Sequence, residues 1–105
     1  MTDPNTRAAI LEEAAQIVTK DRNATHGEPE DSFHWIARYW SVKLSQMTGH
    51  EITLEPWQVS ILMTDLKDAR IIANPYHRDS WIDKVGYPVC GASIALREAR
   101  DGGAD

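Results

Sequence analysis

Apolar residues recur at helical spacing in four stretches of the chain, each bounded by polar or helix-breaking residues. In the first, Ile10, Ala14 and Ile17, with Leu11, Ala15 and Val18, form one stripe. Asp3 of "DPNT" can cap it and Pro4 suits a first turn, while Gly27 in "TKDRNATHG" marks its end. The second stretch opens at "EPEDSF", where Pro29 and the acids suit the positive end of a helix dipole. Phe33, Ile36, Ala37, Trp40, Leu44 and Met47 keep the period, and Gly49 supplies the stop. The third starts at "TLEPW" with Thr53 as cap, and its predicted core stripe is Val59, Leu62, Leu66, Ala69 and Ala73. Pro75 ends it and disfavours a helical Asn74. The fourth runs from about Asp79 to Arg100, with Ile82, Val85, Val89, Ala92 and Leu96 predicted inward and a kink at Pro88. Short connections between four such helices predict a single all-α domain, an up-and-down four-helix bundle, with a disordered tail from about residue 101.

Composition narrows the function more than the fold. With 105 residues there is room for one modest core. The single Cys90 excludes an internal disulfide and a cysteine zinc cluster. The N-terminus lacks the basic flank and apolar run of a signal peptide, and no segment approaches the ~20 apolar residues that span a bilayer. A cytoplasmic setting follows as the expectation. Net charge is −5, with 16 acidic against 11 basic residues, and the basic ones are scattered. That balance argues against nucleic-acid binding while leaving room for a local phosphate pocket.

The candidate chemistry lies in "DLKDARIIANPYHRDSWID". On the third helix, Ile61, Asp65, Asp68 and Ile72 share a stripe; on the fourth, Asp79, Ile82, Asp83, Gly86 and Cys90 share another. In an antiparallel hairpin, Asp68 and Asp79 would lie closest to the loop, and Asp65 and Asp83 about a turn further in. Four converging carboxylates repel one another unless a cation bridges them, and oxygen donors suit Mg²⁺ or Mn²⁺. Lys67, Arg70, Arg78, His77 and Lys84 stand nearby to meet phosphates. The plainer reading has Asp65 and Asp68 paired with basic side chains, Asp79 capping the fourth helix, and Lys67 and Lys84 solvated. His26, Glu30 and His34 have ligand-like spacing without a clear third donor. Glu28 and Asp31 form an E-x-x-D pair that more commonly serves a helix N-terminus. Glu12 and Glu13 read as surface residues. Trp35, Tyr39, Trp57 and Trp81 exceed what the stripes need, which fits an oligomer interface or base stacking.

"ATHGEPEDSFHWIARYWS" and "LKDARIIANPYHRDSWIDKVGY" resemble a phage and prophage family of unknown function, over about Leu11 to Leu96. That family is similar to the nucleotide-modification-associated domain and, more distantly, to MazG-type all-α nucleoside triphosphate pyrophosphohydrolases. The resemblance implies a dimer or tetramer that uses Mg²⁺ or Mn²⁺ to cleave a nucleotide substrate to the monophosphate and pyrophosphate. Asp79 and Asp83 match its Asp-Ser-x-x-Asp motif and would be the catalytic metal ligands. Lys67 and Arg70 match its Leu-Lys-x-Ala-Arg and would, with Arg78, bind phosphate. Asp65 and Asp68 enter the metal set from helical geometry alone, and the MazG-type E-x-x-E pair has no clean equivalent. The alternative is a non-catalytic helical module that binds a nucleotide or a host protein.

Overall fold

The computed structural model describes residues 3–21 and 29–102, without the side chains of residues 20, 21, 29–31 and 102. Within them lie four α-helices and no strand: α1 (Arg7–Gln16), α2 (Pro29–Thr48), α3 (Pro56–Ala73) and α4 (Arg78–Gly102). A π-helical turn, Ile17–Asp21, extends α1. The predicted turn at His26, Gly27 and Glu28 falls outside the described residues. α4 reaches Gly102, past the predicted start of the tail, and residues 103–105 are not described.

Helix ends follow local chemistry, with two corrections to the predicted caps. Thr6, not Asp3, caps α1, its hydroxyl accepting from the Ala9 amide at 3.2 Å. Asp3 instead accepts from the Asn5 amide. Glu55, not Thr53, precedes α3, and its amide donates to Gln58 Oε1 at 2.8 Å. Pro56 decides this, because a first-turn proline makes the residue before it the cap. Gly49, at φ 74°, closes α2 in the left-handed region that glycine enters without strain. Segment 49–55 is held to α2 by two serines. Ser45 Oγ accepts from the Ile52 amide and donates to the Ile52 carbonyl, and Ser41 Oγ accepts from the Leu54 amide.

α3 and α4 form the most extensive pair, an antiparallel hairpin across a short turn. α2 packs mainly on α3 and also reaches α4 through the core, and α1 packs on α4. α2 thus lies over the α3–α4 hairpin, with the Phe33 ring centred 6.3 Å from the Tyr87 ring of α4, and α1 lies along α4. The radius of gyration is 15.8 Å, against about 13 Å for a compact chain of this length.

The core is small: Phe33, Ala37, Val59, Cys90 and Ile94, with Trp40, Leu54, Met63 and Tyr87 packed against it. The predicted stripe of α2 is largely the observed one, although Met47 is exposed. Those of α3 and α4 are not. Val59 and Ile82 are buried, but Leu62, Leu66, Val89 and Leu96 are exposed. On α4 the inward face is Ser80, Ile82, Gly86, Cys90, Gly91 and Ile94. Packing distance explains the choice: Gly91 lets α4 approach so closely that a Cβ there would lie 1.9 Å from Ser60 Oγ. No helix among the described residues is long and apolar enough to cross a membrane.

Candidate functional site

The α3–α4 seam brings two of the four aspartates into reach of the opposite helix, and each meets a lysine. Lys67 Nζ lies 3.0 Å from Asp83 Oδ2, and Lys84 Nζ lies 2.6 Å from Asp68 Oδ1. Both pairs bridge the antiparallel hairpin at about one level, where residues 67 and 68 lie across from residues 83 and 84. Asp68 is thus level with Lys84, and Asp79 sits a full turn nearer the loop than the expected arrangement placed it. Lys67 is buried, not solvated, and its ammonium group is held in a partly dry seam by the Asp83 carboxylate. Lys84 is also paired instead of free, at a more exposed position where such a contact is worth less.

The remaining members stand apart. Asp65 and Asp79 are exposed, Asp79 in the first turn of α4 where its charge suits the helix dipole. Among the described residues no three His, Cys, Asp or Glu side chains converge in a way that could hold a metal ion. Among the described residues, then, Asp65, Asp68, Asp79 and Asp83 do not gather into one donor set within one chain. Glu28 and His26 lie outside the described residues, as do the side chains of Glu30 and Asp31.

Of the expected phosphate-binding groups, only Arg70 is exposed and unengaged among the described residues. Arg78 is a structural strap: Nε donates to Asn5 Oδ1 at 2.8 Å, Nη2 donates to the Pro4 carbonyl at 2.7 Å, and Nη1 pairs with Glu13. The role of Glu13 could not be anticipated from helical spacing, because its partner is on a helix far along the chain. Ser80 was also missed. Its hydroxyl is buried at the start of α4 and bonded to His77 Nδ1 at 2.9 Å. Ala14, Ile17, Val18, Ile82, Asp83 and Tyr87 line a cavity of about 100 Å³ between α1 and α4. Among the described residues Asp83 is its only charged wall, which suits one hydrogen bond in an apolar recess more than the cradling of a triphosphate.

The aromatic surplus lies on outer faces. On α2, Trp35 stacks at 6.4 Å from Tyr39, its edge meets His34, and the Arg38 guanidinium lies 5.5 Å from its ring centre. On α3, Trp57, Ile61 and Leu62 line a shallow apolar groove with Leu54 and Gln58. Trp81 anchors its indole N–H on the Pro75 carbonyl at 2.8 Å yet remains 44% exposed.

Comparison with known proteins adds a family. The Gene 55 protein of Mycobacterium phage D29 is 37% identical over 82 residues, covering 78% of this chain and 50% of that protein. The Gene 55 protein of Mycobacterium phage L5 is 33% identical over 79 residues, covering 75% of this chain and 47% of that protein. The chain thus spans about half the length of these curated relatives. No solved structure gives a significant match. Residues 9–95 match the domain of unknown function DUF6378, and on that coverage the chain belongs to the DUF6378 family.

Proposed function

We propose that this chain is a non-catalytic helical assembly module that works through protein contacts, its first partner being a second copy of itself. The observation that carries this reading is the pairing at the α3–α4 seam. The two carboxylates that face the opposite helix, Asp83 and Asp68, are each matched by a lysine of that helix and are not left open to a cation. What the chain presents instead is apolar: Trp35 and Tyr39 on α2, Leu62 and Leu66 on α3, and Val89 and Leu96 on α4 are all more than a third exposed. This exposed apolar surface is what supports association. Phosphate recognition has less support, because Arg78 and both seam lysines are engaged within the chain.

The second reading is the Mg²⁺- or Mn²⁺-dependent nucleoside triphosphate pyrophosphohydrolase implied by the resemblance. Its specific support is that Asp65 and Asp79 remain exposed on either side of the paired Asp68 and Asp83. One experiment separates the two. A panel of ribo- and deoxyribonucleoside triphosphates is incubated with the protein and Mg²⁺ or Mn²⁺, pyrophosphate is measured, and Asp83→Asn is run in parallel. The module reading expects no release above the protein-free rate with any nucleotide. Release that disappears in Asp83→Asn replaces it with the hydrolase.

A further inference from the structure

We infer that the outer face of α2 binds single-stranded nucleic acid, stacking bases on Trp35 and Tyr39 and meeting phosphates with Arg38 and Lys43. This is a further activity, separate from the assembly reading, which the exposed residues of α3 and α4 carry without it. From residue 32 to 50 the chain reads "SFHWIARYWSVKLSQMTGH", with no acid between Asp31 and Glu51. The balance of −5 over the whole chain therefore hides one stretch whose only formal charges, on Arg38 and Lys43, are positive. Helical spacing gathers that stretch on one side. Trp35, Tyr39, Val42 and Gln46, at steps of four, three and four residues, make a ridge with Arg38 along one flank and Lys43 along the other. Phe33, Ala37 and Trp40 turn the opposite side of the helix into the core, so the ridge faces away from the rest of the chain. Trp35 is 54% exposed and Tyr39 is 61% exposed.

Three properties of the ridge select the occupant. The Trp35 and Tyr39 rings lie 6.4 Å apart with 32° between their planes, and the Arg38 guanidinium lies 5.5 Å from the Trp35 ring centre. Such an array of ring faces and a planar cation is what a nucleobase extends by stacking. A run of carboxylates would satisfy the charges and leave the rings unused, which sets an acidic protein behind nucleic acid. Next, neither Arg38 nor Lys43 is paired with an acid among the described residues, whereas Lys67, Arg78 and Lys84 all are. Finally, these two cations stand on opposite flanks and five residues apart, about 7.5 Å of helix rise, so one phosphate does not span them whereas a strand does. A duplex keeps its bases stacked inside and offers the ridge no face. Glu51 bounds the site, because it lines a shallow recess with Val42 and Gln46 and sets a repelling carboxylate at that end of the ridge.

The test is fluorescence anisotropy of a labelled oligothymidylate of about twelve nucleotides, titrated with the 105-residue chain at low salt. Trp35→Ala and Tyr39→Ala should each raise the dissociation constant by roughly fivefold or more, with far-UV helicity retained. Tyr76→Ala, which removes a 91% exposed ring from the α3–α4 turn, should leave binding unchanged. Two phosphate contacts predict that an approximately fourfold rise in salt weakens binding by roughly sevenfold, and Lys43→Gln should about halve that salt slope. Glu51→Gln should tighten binding. No anisotropy change at low salt overturns the inference, as does binding that is indifferent to both Trp35→Ala and Lys43→Gln. Displacement of the strand by polyglutamate at equal charge also overturns it and gives the face to an acidic protein. Displacement by dTMP, nucleotide for nucleotide, overturns the strand in favour of a mononucleotide site, and equal binding of a duplex overturns stacking. None of these outcomes bears on association of the chain with itself, so the assembly reading stands or falls separately.

Discussion

Lys67 carries an ammonium group into a seam where its side chain is 11% exposed, while its partner Asp83 keeps 39% of its side-chain surface in water. The pair is therefore asymmetric. Removing the carboxylate strands a largely buried charge, whereas removing the lysine returns Asp83 to solvent. Asp83→Ala should destabilise the fold by about 1–3 kcal/mol and Lys67→Met by less than about 1 kcal/mol, read from urea denaturation at neutral pH. Equal losses would show that the seam is wet. Gly91 is a second sensitive position, because a methyl group there lies 1.9 Å from Ser60 Oγ and 3.0 Å from Ser60 Cβ. Gly91→Ala should cost about 1–3 kcal/mol, and Ser60→Ala should recover part of that loss by removing the nearer atom. At this scale the sequence shows that aspartates lie on facing helices, but not what they face. Helical periodicity places a residue on a side of its own helix. The pairing of 67 with 83 depends on the sliding register between two helices, which close contacts such as Gly91 on Ser60 determine.

Among the elements, those with hard punctuation are the legible ones. Pro29, Gly49, Pro56 and the Asn74–Pro75 pair each end or start a helix for a local steric reason, and the observed bounds fall on them or beside them. Thr53 has the side chain of a cap, but Pro56 at the first helical position makes Glu55 the cap. Thr53→Ala should accordingly shift stability by no more than about 0.5 kcal/mol. Ser45→Ala should do more, since it leaves the amide and carbonyl of half-buried Ile52 without their partner. A loss of about 1–2 kcal/mol is expected, with faster hydrogen exchange at the Ile52 and Leu54 amides and little change at α4. A normal exchange rate at Ile52 in that variant would show that the serine does not hold the segment. The faces of α3 and α4 were illegible for a different reason. Both helices carry apolar residues on more than one side, so periodicity finds several stripes and cannot rank them. The stripes it ranked first, around Leu62, Leu66, Val89 and Leu96, are those left outside.

For the whole molecule, a small core and a strong apolar pattern are in conflict only if one chain is the complete folding unit. The core takes a few residues from α2, α3 and α4, while Leu62, Leu66, Val89 and Leu96 stay more than a third exposed. The hydrophobic contribution withheld from the monomer is available to association, at about 25 cal/mol for each Å² of apolar surface covered. Burial of ~800 Å² per partner would therefore supply many kcal/mol before the entropy of association is subtracted. Linkage turns this into a measurement that requires no mutation. If native chains associate and unfolded chains do not, dilution favours unfolding, and the melting temperature must rise with protein concentration. Scans at concentrations a hundredfold apart should show an upward shift of several degrees. A midpoint independent of concentration would mean that the small core of Phe33, Ala37, Val59, Cys90 and Ile94 sustains the fold alone, and that the exposed stripes await a partner other than this chain.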